Sequence, residues 1–335
     1  MTARMGTTDS LSRRGFLAGI GMTPFLTTAA LAQSASAIPD DRSLGSLKDA
    51  KGTKLVLLGT AGGPGVGRKA YSTSHMMLSD GAAYILDCGL GVTNQFARTG
   101  IPFGAVRSIF ITHHHPDHNL EYGPLLVVGW IQGMSQRVSA FGPPPLKSMT
   151  EDFLRGYEAT IDFWAEDMKM RPLRAIDVTE ISSSGPVMKD DRVSVRSVLV
   201  EHPPVNPAFG YRFDFKDRSI AFSGDTAPLP AVAELAKGAD VLVHEAMYVQ
   251  AVEANARAQI ARGRPINYDA YIAHMMGSHS PVEEVGKIAH AAGVKTLVLS
   301  HFTPSLDSIT DDMWREAAAR YFKGEIVVGK DLMVI

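Results

Sequence analysis

The sequence predicts an α/β protein, and three observations carry this prediction. Short apolar runs, typical of buried strands, alternate with segments of helical periodicity from residue 54 to the end of the chain. Glycine and proline separate these runs, where loops are expected. Several histidines and aspartates fall directly after predicted strands, which is where a rigid sheet can hold binding side chains.

The N-terminal half of this region predicts a mostly β arrangement. An apolar run starting at residue 54 predicts the first strand, and the next two strands form a hairpin across Asp80-Gly81. Gly100 ends a predicted helix. In order, the predicted elements of this half are strands at 54–59, 74–79, 83–87, 108–111 and 137–141, with one helix at 92–98 and another that Asn119 would cap and that runs through 125–130.

The segment 146–171 differs in character from its surroundings. It follows a Gly-Pro-Pro-Pro break, and Phe153, Tyr157, Ile161 and Trp164 then recur at helical spacing. Two interpretations stay open. The segment is either an amphipathic helix docked on the body of the protein or a lid whose aromatic side chains line the site.

The remaining chain alternates strands with helices. Ser280 and Glu283 predict a capping box at the start of one of these helices. In order, strands are expected at 174–181, 191–200, 209–215, 218–222, 240–244 and 296–300, followed by two short closing strands. Helices are expected at 230–237, 249–262, 268–275, 282–292 and 311–321.

The motif Thr-His-His-His-Pro-Asp-His at 112–118 follows the strand at 108–111 and predicts a metal site. Its H-x-H-x-D-H pattern supplies three nitrogens and one carboxylate, from His113, His115, Asp117 and His118. His114 lies between the alternating positions and is expected to face away. Neutral imidazoles with carboxylates suit zinc, manganese or iron better than calcium. A His-rich surface loop without an ion is the alternative.

Further candidate ligands end later predicted strands, namely His202, Asp225 and His301. Asp225 lies in a Ser-Gly-Asp-Thr motif, and Gly-Tyr-Arg follows His202. With the 112–118 motif, these elements resemble the metallo-β-lactamase superfamily. Gly-Tyr-Arg, Ser-Gly-Asp-Thr and the His-Glu-Ala motif at 244–246 are most similar to the branch containing ribonuclease Z and a related type of arylsulfatase.

The resemblance implies a fold and a ligand set. The fold is an αββα sandwich of two β layers flanked by helices, formed by a catalytic domain at 54–335. The cofactors would be two Zn²⁺, with Mn²⁺ or iron also compatible, and they would activate a hydroxide for attack. One ion would be bound by His113, His115 and His202, and the second by Asp117, His118 and His301. Asp225 would bridge them.

The resemblance also implies a proton donor for the leaving group. His279 lies in Ser-His-Ser, similar to the His-Ser-Thr element of ribonuclease Z, although Pro281 stands where that motif would have Thr. Glu245 resembles the acidic partner that orients such a histidine. The catalytic residues are therefore expected to be His279, Glu245 and the metal ligand Asp117. A helix-entry residue bonded to backbone is the alternative for His279.

The first 53 residues predict export. Residues 12–17, Ser-Arg-Arg-Gly-Phe-Leu, resemble a twin-arginine signal, and an apolar stretch and small-residue cleavage sites follow. We expect a signal peptide at 1–37, a linker at 38–53, the twin-arginine export machinery as a partner, and a periplasmic or secreted protein. The apolar run is short for a membrane span, so the mature protein is expected to have none.

The composition of the chain narrows the range of candidate substrate classes. The formal net charge is −2, which does not suggest the basic surface of a nucleic-acid enzyme. Cys88 is the only cysteine, so no intramolecular disulfide can form, and we interpret it as a core residue. Dimers are common among relatives, which leaves a homodimer open as the assembly.

The favoured hypothesis is an exported dinuclear hydrolase of small anionic esters, either aryl sulfates or phosphodiesters. Lactonase or β-lactamase chemistry on the same fold is an alternative hydrolytic function. The competing class is a non-catalytic protein that binds metal or ligand. Loss of a ligand would mark that class, and all seven ligand positions are present.

Overall fold

The computed structural model describes residues 40–47, 51–66, 69–135 and 138–335. The strands of this part are β1 (Lys54–Gly59), β2 (Ser74–Ser79), β3 (Ala82–Leu86), β4 (Val106–Phe110), β5 (Ser139–Gly142), β6 (Asp177–Glu180), β7 (Gly185–Lys189), β8 (Val193–Leu199), β9 (Phe209–Phe215), β10 (Ser219–Phe222), β11 (Val241–Met247), β12 (Thr296–Thr303), β13 (Glu325–Val328) and β14 (Met333–Val334). The helices are α1 (Val92–Arg98), α2 (Pro116–Asn119), α3 (Tyr122–Ile131), α4 (Leu146–Gly156), α5 (Glu158–Asp167), α6 (Pro230–Leu235), α7 (Val249–Ala261), α8 (Tyr268–Ser278), α9 (Val282–Ala292) and α10 (Asp311–Ala319).

Two seven-stranded mixed sheets form the centre of the fold. Their orders are β14-β1-β2-β3-β4-β5-β6 and β13-β12-β11-β10-β9-β8-β7. Strands β3 to β6 run parallel in the first sheet, and β10 to β13 run parallel in the second. Parallel strands are covered on both faces, which explains why these runs are continuously apolar in the sequence.

Strand β1 shows how two layers of core arise from one strand. Leu55 and Leu57 face the core between the sheets, whereas Val56 and Leu58 face the helical side. This alternation follows from the two-residue period of a strand. Aromatic rings fill the space between the sheets, and Phe110 packs edge-on against Phe213 with ring centroids 5.0 Å apart.

Helices cover the outer face of each sheet. One outer core contains buried residues of α1, α3, α4 and α5, and the other contains residues of α6, α9 and α10. Helices α9 and α10 approach closely at Gly286, where a Cβ atom would lie 2.5 Å from the carbonyl oxygen of Ala318. The order helix, sheet, sheet, helix confirms the expected αββα sandwich.

The segment 146–171 forms two helices where one was expected. Helix α4 ends at Gly156 and α5 begins after Tyr157, whose non-helical backbone caps both. Leu154 and Ile161 are buried in the outer core, as a docked amphipathic segment requires. Trp164, the last residue of the predicted stripe, is 42% exposed.

Other local expectations differ from the structure. The expected cap at Asn119 is wrong, because Asn119 ends α2 and Glu121 is the N-cap of α3. Strand β7 lies outside the predicted strands, because it opens with Gly185 and Pro186, which are typical of loops, and none of its residues is fully buried. The capping box at α9 is also wrong. The hydroxyl of Ser280 donates to the carbonyl oxygen of Thr226 at 2.7 Å, and Pro281 is the N-cap residue.

The chain before β1 is described only in part. The predicted signal peptide at 1–37 lies outside the described residues. Within the segment expected as a linker, Asp40–Arg42 and Leu44–Leu47 form 3₁₀ turns, and Leu47 is buried against the outer core. Among the described helices, none is both long enough and apolar enough to cross a membrane.

The site-forming loops follow strands of both sheets. In the first sheet, the loop after β4 carries the His-rich motif. In the second, His202 follows β8, Asp225 follows β10, and His301 lies near the end of β12. Carboxyl ends of parallel strands meet at one edge of a sheet, so the topology brings these side chains together.

Candidate metal centre

The loop from β4 to α2 presents its side chains in two directions. His115 is the N-cap of α2 and Pro116 opens the helix, which suits a residue without a backbone N–H. His113 and His118 are buried beneath the loop. His114 faces away as expected: its Nε2 lies 2.8 Å from the carbonyl oxygen of Pro143.

Three histidine nitrogens form the first half-site. Nδ1 of His115 lies 3.1 Å from Nε2 of His113 and 3.0 Å from Nε2 of His202. Nitrogens bound at about 2.0–2.1 Å around one tetrahedral zinc are separated by roughly 3.3 Å. The three nitrogens are therefore spaced as ligands of one ion.

Two carboxylates and two histidines form the second half-site. Oδ2 of Asp117 lies 3.2 Å from Nε2 of His301 and 3.6 Å from Nε2 of His118. Asp225 approaches the same histidines, with contacts of 3.0 Å to Nε2 of His301 and 3.4 Å to Nε2 of His118. All four side chains are buried.

Asp225 faces both half-sites. Besides its contacts in the second, its Oδ2 lies 3.9 Å from Nε2 of His113 and 3.9 Å from Nε2 of His202. One carboxylate thus stands between two groups of nitrogens. This position fits the bridging role that the resemblance implied.

Unpartnered atoms test whether the residues fit metal ions. Nε2 of His118 and Oδ1 of Asp225 are buried side-chain atoms without a hydrogen-bond partner. Leaving such atoms unpaired costs about 1–3 kcal/mol each, so native proteins rarely do so without a ligand. Imidazole and carboxylate are donors that suit zinc and similar divalent ions. The residues therefore fit two ions.

Outer contacts fix which nitrogen of each histidine faces the ions. Nδ1 of His118 donates to Oδ2 of Asp87 at 2.8 Å, and Nδ1 of His202 donates to the carbonyl oxygen of Ser278 at 2.8 Å. Because these partners can only accept, each Nδ1 carries a proton and each Nε2 is the nitrogen that faces the half-sites. Such contacts orient metal-binding histidines.

Electrostatics separate the two half-sites. Burial lowers the pKa of His115 to about 4 and that of His113 well below its usual value, so both imidazoles are neutral. In His301, burial also lowers the pKa, but Asp225 and Asp117 outweigh it and raise the pKa to about 10. Without an ion, the second half-site therefore draws in positive charge, which a metal ion would supply.

His279 and Glu245 form a pair beside the ligands. Nδ1 of His279 donates to Oε2 of Glu245 at 2.8 Å, and it lies 4.0 Å from Oδ2 of Asp225. Burial lowers the pKa of His279, but the Glu245 carboxylate outweighs it and raises that pKa. Glu245 is held by the backbone N–H of Thr226 at 2.6 Å. The pair is thus a preorganised proton donor.

A β-bulge shapes this corner. The register between β11 and β12 shifts after Glu245, so Ala246 pairs with Phe302 and His301 is the extra residue. His301 has φ of 44°, a left-handed conformation that is uncommon for a residue with a side chain. Local strain of this kind is typical of functional sites. It directs His301 toward Asp117 and Asp225 of the second half-site.

The structure brings together every residue expected at the site. The seven expected ligands meet within the two half-sites, and His279 with Glu245 adjoins them. His244 is not part of this group, since it bonds to the carbonyl oxygen of Glu245 at 2.8 Å.

The sequence reasoning missed two supporting groups, Asp87 and the carbonyl of Ser278. Asp87 ends the strand predicted at 83–87, whereas in the structure it follows β3 with a left-handed φ of 61° and its carboxylate reaches His118. A lone aspartate after an apolar strand was the available signal. The carbonyl of Ser278 is a backbone group, which leaves no trace in residue identity.

Comparisons with known proteins agree with this geometry. A family profile described as "Beta-lactamase superfamily domain" matches residues 83–302. Ribonuclease Z of Mycobacterium avium (strain 104) is 31% identical over 283 residues, covering 83% of this chain and 96% of that protein. Ribonuclease Z of Mycolicibacterium paratuberculosis is 32% identical over 283 residues, with the same coverage of both chains.

Solved structures support the fold. Human tRNase Z, short form, matches with a TM-score of 0.60 at 21% identity, covering 84% of this chain and 98% of that one. Zn²⁺-bound PqqB from Methylobacterium extorquens matches with a TM-score of 0.59 at 14% identity, covering 84% and 99%. Together with the family profile and the sequence relatives, these findings show that the chain belongs to the metallo-β-lactamase superfamily, as a metal-dependent hydrolase of the branch that contains ribonuclease Z.

Proposed function

We propose that the protein is an exported two-ion hydrolase of small anionic esters, with phosphodiesters first and aryl sulfates second. The observation that carries the proposal is the His279–Glu245 pair. It lies beside Asp225, the carboxylate that faces both half-sites. A buried proton donor next to two half-sites is what cleavage of an ester with a poor leaving group requires. A protein that only stored metal would have no use for it.

The chain's own residues divide the work. When bound, the two ions would supply Lewis acidity for water activation and for charge on the ester oxygens. Asp225 holds the half-sites in register, and Asp117 completes the second. Glu245 keeps the proton of His279 on Nδ1 and stabilises the charged imidazolium. His279 then protonates the departing oxygen, as general acids do.

Charge supports a small substrate. The formal net charge is −2, and acidic residues outnumber basic ones in the segment 146–171. Binding of a long nucleic acid depends on phosphate contacts from lysine and arginine. A compact anion needs only the positive charge of the ions themselves.

RNA cleavage is the second candidate, and one observation favours it. The relatives that this chain covers to 96% of their length carry the name ribonuclease Z. Under this alternative the same dyad would protonate a ribose oxygen. The two candidates differ in substrate size and share one site.

A substrate panel tests the proposal. Purified protein loaded with Zn²⁺ or Mn²⁺ would be assayed against bis-aryl phosphate, aryl sulfate, a structured RNA, a lactone and a β-lactam. Turnover of the diester or sulfate, lost on chelation, is the expected result. Efficient cleavage of RNA alone would favour the second candidate, and turnover of the lactone or β-lactam alone would overturn the substrate class. With two ions bound, failure on all five would favour a binding protein.

Export forms a separate part of the proposal. The twin-arginine motif at 12–17 supports translocation of the folded, metal-loaded chain, which fits the lack of disulfides. Replacing Arg13 and Arg14 by lysine should leave the protein in the cytoplasm. Cell fractionation measures this, and unchanged export of the double variant would contradict the assignment.

A further inference from the structure

The loop after β1 contacts two ligands of the second half-site. The backbone N–H of Gly63 donates to Oδ2 of Asp117 at 2.6 Å. Gly62 packs on His301, where a Cβ atom at position 62 would lie 2.7 Å from Cε1 of the ring. Asp117 and His301 both belong to the second half-site.

The same loop bridges the two sheets. The N–H of Ala61 donates to the carbonyl oxygen of Tyr71 at 2.9 Å, and the N–H of Gly62 donates to the carbonyl oxygen of Phe302 at 3.2 Å. The N–H of Phe302 donates back to the carbonyl oxygen of Thr60 at 3.0 Å. The position of Gly62 and Gly63 is thus set by where Thr60 and Tyr71 are held.

Asp331 holds both of these residues. Its Oδ1 accepts from the hydroxyl of Thr60 at 2.8 Å, and its Oδ2 accepts from the N–H of Tyr71 at 2.7 Å. One carboxylate on the C-terminal segment therefore closes the base of the loop 60–71. The contact spans 271 residues of chain to Thr60, so no local turn produces it.

We propose that Asp331 is a positioning residue for the second ion, acting through Thr60 and the Gly62-Gly63 backbone. The proposal rests on the two-ion site proposed above. Removing the Asp331 carboxylate releases Thr60 and Tyr71 at the base of the loop. The Gly62-Gly63 backbone is then no longer held against Asp117 and His301. Loss of outer contacts of metal ligands typically weakens metal binding by about 10–100-fold. The loss should fall on the second ion alone.

Zinc titration of the metal-free, full-length protein tests this proposal, with a chromophoric chelator as competitor. Asp331→Ala should weaken the binding of one of the two zinc ions by at least roughly tenfold. Asp331→Asn should restore most of the affinity, because its amide can donate to the Thr60 hydroxyl and its oxygen can accept from Tyr71. Asp240→Ala is the matched control. Asp240 likewise accepts from a backbone N–H and a hydroxyl, both of Ser219, at the opposite ends of the strands.

A double-mutant comparison assigns the ion. His202→Ala removes a ligand of the first half-site, so in this background Asp331→Ala should weaken zinc binding at the second half-site. His301→Ala removes a ligand of the second half-site, so in this background Asp331→Ala should leave zinc binding at the first half-site unchanged. Equal effects on zinc affinity in both backgrounds would overturn the proposal, as would unchanged affinity for both ions in Asp331→Ala. Fewer than two ions in the wild type would instead overturn the two-ion function. If Asp331→Ala does not fold, Thr60→Val against Thr60→Ser carries the same test, since only serine keeps the hydroxyl.

Discussion

Oε2 of Glu245 lies 2.8 Å from Nδ1 of His279, and Oδ2 of Asp225 lies 4.0 Å from the same nitrogen. The negative charge of Glu245 favours the protonated imidazole and so raises the pKa of His279 against the effect of burial. The proton donor is therefore tuned by a carboxylate that belongs to neither half-site.

Glu245→Gln should lower the pKa of His279. The fraction of donor that is protonated then falls at a lower pH, so the alkaline limb of the rate profile moves to lower pH. Profiles of kcat for an alkyl-leaving phosphodiester measure this shift. An alkaline limb that stays in place would show that His279 is not the titrating acid.

His279→Ala should depend on the leaving group. For a poor leaving group the loss should be about 10²–10⁴-fold, the usual contribution of a general acid. A nitrophenolate leaves without a proton, so the loss there should be much smaller. His290→Ala, which changes an exposed histidine on α9, is the control. Equal losses for both leaving groups would indicate a structural role for His279.

Chelation should lower thermal stability. Ions that bind only the folded protein stabilise it by about 4 kcal/mol at a concentration 1,000 times Kd. For a domain of this size, that corresponds to a fall in Tm on the order of 10 °C. Asp225→Asn should have a low Tm with or without chelator, since it faces both half-sites. Unchanged melting of the wild type after chelation would contradict the account.

Gly62→Ala and Gly286→Ala should separate site from scaffold. A Cβ at position 62 meets His301, whereas one at position 286 lies 2.5 Å from the carbonyl oxygen of Ala318. Both should destabilise the fold by roughly 1–3 kcal/mol, typical of overpacking. Only Gly62→Ala should also lower zinc affinity. Denaturant unfolding with zinc titration tests this pair, and equal zinc binding would count against the close contact at His301.

The candidate ligand positions could be predicted because histidine and aspartate are recognisable in sequence as metal-binding residue types. Histidine and aspartate after apolar strands are rare enough to stand out, and the strands themselves follow from apolar runs. The seven ligands that the resemblance implied come together in the two half-sites. His114 could be set apart because a simple alternation separates it from its neighbours.

The remaining features depend on tertiary contacts. The break at Tyr157 divides a stripe that looks continuous in sequence. Strand β7 forms by pairing with β8, although it opens with Gly185 and Pro186. Ser280 has the right spacing for a cap, yet Thr226 offers its hydroxyl a better partner. The roles of Asp87 and Asp331 arise from partners distant in the chain.

The most direct test of the central claim measures hydrolytic activity as a function of the number of zinc ions bound per chain. Metal-free protein would receive increasing Zn²⁺ while bound zinc and hydrolysis of bis-aryl phosphate are measured in the same samples. The account predicts two ions per chain, with most of the activity appearing as the second ion binds. Full activity with one ion, or none with two ions bound, would contradict a two-ion phosphodiester hydrolase.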